Sequence, residues 1–374
     1  MTDVYITAVS KFLPNAPVSN DEMEEHLGMI GGRPSRARRI VLRNNGIRSR
    51  HYSLLRDGSL THTNAQMVVE AIKGLDRSED DIQLLACGTS ASDQSLPSHT
   101  AMVHGLLDAE MEIFSPSGAC CSGIHAMKYG YLSIRAGETG NAVSAGSELI
   151  SPMMMARNFE TENGTASDIE KNPIIGFEKD FLRWMLSDGA GAAWMESTPN
   201  ADGISLRIEW IESRSFANEM ETCMYAASDK TENGELQSWK LFEPKEWIKR
   251  SVFSMKQDVK LLGTTIVPLG GRYLSEIAKK RGLDVSSVDH FLPHLSSDFF
   301  RQPVYDQLKK EGMEIPEHKW FSNLTEVGNV GSASIYIMLE EIVNSGKLKV
   351  GQKLLLMVPE SARFSYAYVP LTVC

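Results

Sequence analysis

The run from Ser117 to Gly137 sets two adjacent cysteines, Cys120 and Cys121, in a turn of small residues at the mouth of a helix. Beyond Gly123, the apolar residues Ile124, Met127, Tyr131 and Ile134 have the spacing of one helical face. Upstream, Glu112 to Phe114 reads as a short buried strand. A strand, a tight turn carrying Cys121 and a helix make a nucleophile elbow. The first turn of a helix has unpaired N–H groups and a partial positive charge, which favour the reactive thiolate. Gly118, Ala119, Ser122 and Gly123 leave room for a substrate carbonyl. A cysteine among such residues is more often a small core side chain, and this segment alone leaves that reading open.

Two later residues have types that suit the same chemistry. His294 ends the apolar run Phe291-Leu292-Pro293, where a loop enters a cleft. Asn329 stands between Gly328 and Gly331, just before a helix, where close backbone approach to a ligand is allowed. A hydrogen-bonded structural histidine and an ordinary helix cap are the alternatives for these two. Taken together, Cys121 would form a thioester with an acyl group. His294 and Asn329 would donate hydrogen bonds to a second thioester as its oxygen gains enolate charge. Ser187-Asp188-Gly189-Ala190 reads as scaffold. The methionines of 151–155 suit either core packing or the lining of an acyl tunnel.

The elements that must position these residues occur twice. Ala71 to Gly88 and Ala278 to His294 each run helix, Gly-Leu-Asp, polar linker, apolar strand. Ser122 to Glu148 and Ser332 to Glu360 each run small residues, amphipathic helix, turn, strand. A chain of 374 residues is too long for one small core. The expectation is two α/β halves, residues 1–196 and 197–374, with a break near Ser197-Thr198-Pro199. Apolar strands alternating with helices argue for mixed, mostly parallel sheets covered by helices. Corresponding loops would then face each other, bringing the cysteine and His294 together at strand ends.

Composition narrows the function classes. A net charge of −10 opposes nucleic-acid binding. No apolar run reaches membrane-spanning length, and the first residues read as a strand rather than a signal peptide. Five cysteines, an odd number without CxxC spacing, predict neither a disulfide framework nor a zinc site, and suggest the reducing cytoplasm. Against the acidic whole, Arg33, Arg36, Arg38, Arg39, Arg43, Arg48 and Arg50 crowd together. They read as a solvated surface or as a landing site for a phosphate-bearing or acidic partner.

These segments resemble the thiolase-fold condensing enzymes of the β-ketoacyl-(acyl-carrier-protein) synthase III type. Asn45-Gly46-Ile47-Arg48 is similar to that family's Thr-Gly-Ile-Arg, and Leu96-Pro97-Ser98 to its Phe-Pro-Ser. Ala119-Cys120-Cys121-Ser122-Gly123-Ile124 resembles Ala-Ala-Cys-Ala-Gly-Phe, a match that selects Cys121. The Asp188, His294 and Asn329 segments follow in the family's order. The resemblance implies duplicated αβα halves in a five-layered αβαβα arrangement. It implies a homodimer without a resident cofactor, using coenzyme A or phosphopantetheine thioesters and an acyl carrier protein. It assigns the catalytic set Cys121, His294 and Asn329. The oxyanion hole would use the backbone N–H groups of Cys121 and Ala362. Arg48 and Arg43 would receive the carrier. The activity implied is a Claisen condensation; acyl transfer to an alcohol or amine, and a non-catalytic partner role, are the alternatives. Two departures stand out. Leu295-Ser296-Ser297 replaces the family's Gln-Ala-Asn, and Val358 to Tyr366 replaces its glycine-rich loop. They point to a specialised lipid or polyketide enzyme, such as the ketosynthases that form cyclohexanedione or dialkylresorcinol rings.

Overall fold

Local signals set the ends of the main elements in the computed structural model, which describes residues 2–35, 38–159, 182–231 and 233–374. The strands of the main sheet are β1 (Tyr5–Phe12), β2 (Leu84–Thr89), β3 (Glu112–Phe114), β4 (Asn141–Glu148), β5 (Gly189–Glu196), β6 (Leu206–Ile208), β7 (Glu212–Ser215), β8 (His290–Pro293), β9 (Lys353–Glu360) and β10 (Ser365–Val373). The helices packed on it are α1 (Asn64–Lys73), α2 (His99–His104), α3 (Cys121–Ala136), α4 (Val259–Arg281), α5 (Arg301–Lys310) and α6 (Ser334–Asn344). Thr63 and Gln66 form a reciprocal capping box at the start of α1. Asp258 caps α4 through the Leu261 amide. Gly137 ends α3 with a left-handed φ of 82°, which a side chain would strain.

The sheet order is β8-β9-β10-β6-β1-β5-β4-β2-β3, with β7 on β10. It reads alike outward from the β1–β6 junction. On one side β1–β5 and β5–β4 are antiparallel, while β4–β2 and β2–β3 are parallel. On the other, β6–β10 and β10–β9 are antiparallel, β9–β8 is parallel, and a parallel bridge joins Phe291 to Trp320. The similar segments seen in the sequence occupy corresponding places: α1 leads to β2 as α4 leads to β8, and α3 to β4 as α6 to β9.

The sheet is mixed, with a smaller parallel share than the apolar strands suggested. Within the sheet, parallel strand pairing is confined to the outer strands of each half. Residues 361–364 join β9 to β10, and a link that short permits only an antiparallel return. A second correction concerns β3. It is a strand, but an exposed edge rather than a buried one, with Ile113 36% exposed.

Side-chain alternation along the strands separates three layers of helix. On β5, Ala190, Ala192 and Trp194 face α1, whereas Ala193 and Met195 face α3 and α6. On β9, Leu354, Leu356 and Val358 face α3 and α6, whereas Leu355 and Met357 face α4 and α5. Thus α3 and α6 lie between the two halves of the sheet, giving the five-layered thiolase-like arrangement. Close approach there requires Gly123 and Gly146, since a Cβ on either would overlap the Ser332 carbonyl oxygen.

Candidate active site

A cavity of about 1010 Å³, counted out to open solvent, runs from the N-terminus of α3 to the space between α4 and α5. At one end stand Ala119, Cys120, Glu148, His294 and Asn329. Leu262 and Ile266 of α4, with Val304 and Leu308 of α5, form the apolar remainder. The methionines in its wall are Met185, Met224, Met255 and Met357. Those of 151–155 pack in the core instead, with Met154 buried.

His294 and Asn329 meet at this cavity, but the cysteine beside them is Cys120. The Cys121 side chain is fully buried in the central layer with Ile124 and Val358, and its Sγ donates to the Val358 carbonyl at 3.3 Å. Cys120 is half-buried and lines the cavity. The reason lies in helix geometry. Successive residues at the start of a helix point about 100° apart, so Cys121 turns wholly into the central layer while Cys120, which also packs against that layer, reaches the cavity. The motif gave no sign of this, since its cysteine falls on Cys121 and its glycine on Gly123.

The backbone of the elbow also differs from expectation. The amides of Ala119 and Cys121 donate to one oxygen of the Glu360 carboxylate, at 3.1 and 3.0 Å. The Cys121 N–H is therefore engaged and is not an open oxyanion donor. Glu360 ends β9 on the central-layer side, while Pro359 and Ser361 face the cavity. Burial raises the Glu360 carboxyl above the usual range. Burial first, then the Glu360 and Glu148 carboxylates, push the Cys120 thiol upward as well. The helix terminus thus carries a carboxylate that opposes the thiolate which the sequence reading favoured.

His294 is 2% exposed, and its Nε2 has no hydrogen-bond partner. Burial lowers its pKa to about 4, so at neutral pH the imidazole is uncharged. Its backbone N–H donates to Met357 O at 2.8 Å, which fixes it to the end of β9. Asn329 is held on both sides of its backbone: its N–H donates to Met185 O, and its carbonyl accepts from the Ser187 N–H, both at 2.9 Å. Its Oδ1 accepts from the Gly331 amide at 2.9 Å, leaving Nδ2 as the donor for the cavity. Glu148 accepts from the Ser332 amide at 3.0 Å and from Ser90 Oγ at 2.6 Å, tying the two halves together.

The remaining expected residues divide. Asp188 is scaffold: its carboxylate accepts from the amides of Ser53, Ile150 and Ser151 and from Ser151 Oγ. The Ala362 carbonyl accepts from Cys223 and Met224 amides at 2.9 and 3.2 Å, anchoring the loop after β9. Among the arginines, Arg50 is fully buried and Arg38 pairs with Asp21 and Glu24. Arg36 lies outside the described residues. Arg33, Arg39, Arg43 and Arg48 are exposed. Among the described residues no cluster of His, Cys, Asp or Glu could hold a metal ion, and no helix is long and apolar enough to cross a membrane.

Comparison with known proteins bears on the fold. Residues 278–359 match the family model 3-oxoacyl-[acyl-carrier-protein] synthase III C terminal. A β-ketoacyl-[acyl-carrier-protein] synthase III of Clostridium perfringens is 25% identical over 353 residues, covering 92% of each chain. The corresponding Sulfurovum protein is 22% identical, covering 93% of this chain and 90% of its own. Among solved structures, AbyA1, a tetronic acid condensing enzyme, superposes with a TM-score of 0.74 at 18% identity, covering 99% of both chains. Xanthomonas campestris OleA, solved with lauric acid and lauroyl-CoA, gives 0.73 at 18% identity, again covering 99% of both. The chain has the thiolase fold of these condensing enzymes, and its residues 278–359 are similar to the C-terminal part of the synthase III enzymes.

Proposed function

We propose that the chain condenses two acyl thioesters through Cys120. In the first stage the Cys120 sulfur attacks an acyl thioester of coenzyme A or a carrier protein. The new C–S bond forms as the old one breaks, and the thiol proton ends on the departing thiol. In the second stage a malonyl or β-ketoacyl thioester loses carbon dioxide or an α-proton. Its carbanion attacks the acyl carbon, a carbon–carbon bond forms as the C–S bond to Cys120 breaks, and the departing sulfur ends with the α-proton or, after decarboxylation, with a proton from water. Neutral His294 and Asn329 Nδ2 donate to the enolate oxygen as charge develops there. The Ala362 amide is the donor we assign to the acyl oxygen.

The observation that carries this reading is the meeting of Cys120, His294 and Asn329 at one cavity from distant parts of the chain. The apolar length of the wall favours specialised, longer-chain substrates. Incubation with acyl thioesters, read by intact mass, should give an adduct that Cys120→Ala abolishes. Addition of malonyl carrier protein should then release carbon dioxide and a β-keto product. Acyl transfer to an alcohol or amine would give neither.

The halves 1–196 and 197–374 act in this reading as the cysteine-bearing and the His/Asn-bearing units. The exposed edge of β3, with Ile113 36% exposed, supports a homodimer built by strand-edge pairing. Arg48 and Arg43 receive the acidic carrier. All five cysteines are free, which suits a cytoplasmic enzyme.

A further inference from the structure

The carboxylate of Glu360 lies beneath the nucleophile elbow and belongs to no part of the reaction above. Its oxygen binds the two amides that flank Cys120, one on each side. Those amides are where a helix terminus offers its partial positive charge, roughly half a unit. A full negative charge placed there more than cancels it. No lysine or arginine among the described residues lines the cavity. The titratable groups around Cys120 are Glu360 at the end of β9, Glu148 at the end of β4, Cys121 on α3 and neutral His294 after β8. A thiolate would find two carboxylates and no cation.

Accepting that Cys120 is the nucleophile, we infer that Glu360 is a positioning residue that clamps the elbow and keeps the Cys120 sulfur protonated until a thioester arrives. The clamp needs only an acceptor oxygen; the protonation control needs the charge. The consequence is a resting sulfur poorly reactive toward oxidants and stray electrophiles, since those attack thiolates. Once a thioester is bound, proton transfer to its departing thiol removes the need for a free thiolate.

Glu360→Gln separates the two roles, because the amide oxygen can still accept from both N–H groups. The test is alkylation of Cys120 by iodoacetamide across pH 6 to 10, followed by peptide mass, in wild type and E360Q. In wild type the midpoint should lie above the free-cysteine value of about 8.5. In E360Q it should fall by about one unit or more. At pH 7 that gives about tenfold more thiolate and, because nucleophilicity falls with pKa, roughly three- to fivefold faster alkylation. An unchanged midpoint in folded E360Q overturns the inference, as does a wild-type midpoint below about 8, which requires no variant. Glu148→Gln, run beside it, should move the midpoint less; an equal or larger shift would transfer the role to Glu148 and overturn the assignment. Labelling of Cys121 with Cys120 untouched would overturn the site reading itself.

Discussion

Cys120 and Cys121 are consecutive in the chain, yet Cys120 lines the cavity that His294 and Asn329 also line, while the sulfur of Cys121 is sealed in the central layer against the Val358 carbonyl. One helical residue of rotation separates a cavity-lining thiol from a fully packed one.

The pair can be tested directly. Cys120→Ala should abolish acyl-adduct formation and condensation. Cys121→Ala should keep the adduct and lose about 1 kcal/mol of stability, the cost of a small buried deletion. Intact mass and urea denaturation read the two effects. The reverse pattern would restore Cys121 as the nucleophile.

His294 and Asn329 serve the second stage in our reading, so their loss should split the reaction. Asn329→Ala should leave acylation of Cys120 within a few-fold of wild type and slow condensation by roughly 100- to 1,000-fold, as for other lost oxyanion donors. Single-turnover acylation and product formation, measured separately, check this. Equal losses in both stages would place Asn329 elsewhere.

Stability should depend on pH through His294. Its folded pKa is depressed to about 4 from an ordinary value of about 6.5. Between those values the unfolded chain binds more protons, so stability rises with pH there and is complete above about 6.5. The contribution, on the order of 3 kcal/mol, is lost as pH falls toward 4. His294→Gln should flatten the fall in melting temperature between pH 6.5 and 4. An identical profile in the variant would show that other groups set it.

Arg48 is exposed, and its backbone N–H donates to Thr325 O at 2.8 Å, close in sequence to the Asn329 loop. Arg48→Ala should raise KM for a carrier-protein substrate several-fold with little change in kcat. The effect should shrink at high salt, because exposed charges are screened. Arg43→Ala should act in the same direction. A fall in kcat at constant KM would exclude docking as the role.

A glycine test probes the packing that brings the halves together. Gly146→Ala places a methyl against the Ser332 carbonyl oxygen beneath α6. It should cost about 1–3 kcal/mol or more, as overpacking does, read as a lower urea midpoint with unchanged slope.

Much of the architecture was legible because it is local or repeated. The face of α3, its end at Gly137 and the strand His290–Pro293 follow from periodicity and turn residues. The recurrence of helix, linker and strand gave the doubled topology. The orientation of the sheet did not follow in the same way. Apolar strands look alike whether their neighbours run parallel or antiparallel, and the short 361–364 link became informative only once β9 and β10 were located. The exposed edge of β3 was hidden for a similar reason, since burial depends on what lies beyond the last strand.

By itself the amino-acid sequence determined the residue types, the helical and strand periods, and the presence of a cysteine, a histidine and an asparagine before or after the right elements. Those are properties of neighbours along the chain. Which of two adjacent sulfurs meets the imidazole, and whether a carboxylate from the far half occupies the elbow amides, was decided only by tertiary structure. Both depend on the angle at which α3 enters between the sheet halves and on the alternation that turns Glu360 toward it while Pro359 and Ser361 turn away. Contacts across more than two hundred residues are set by that packing, and no local pattern records them.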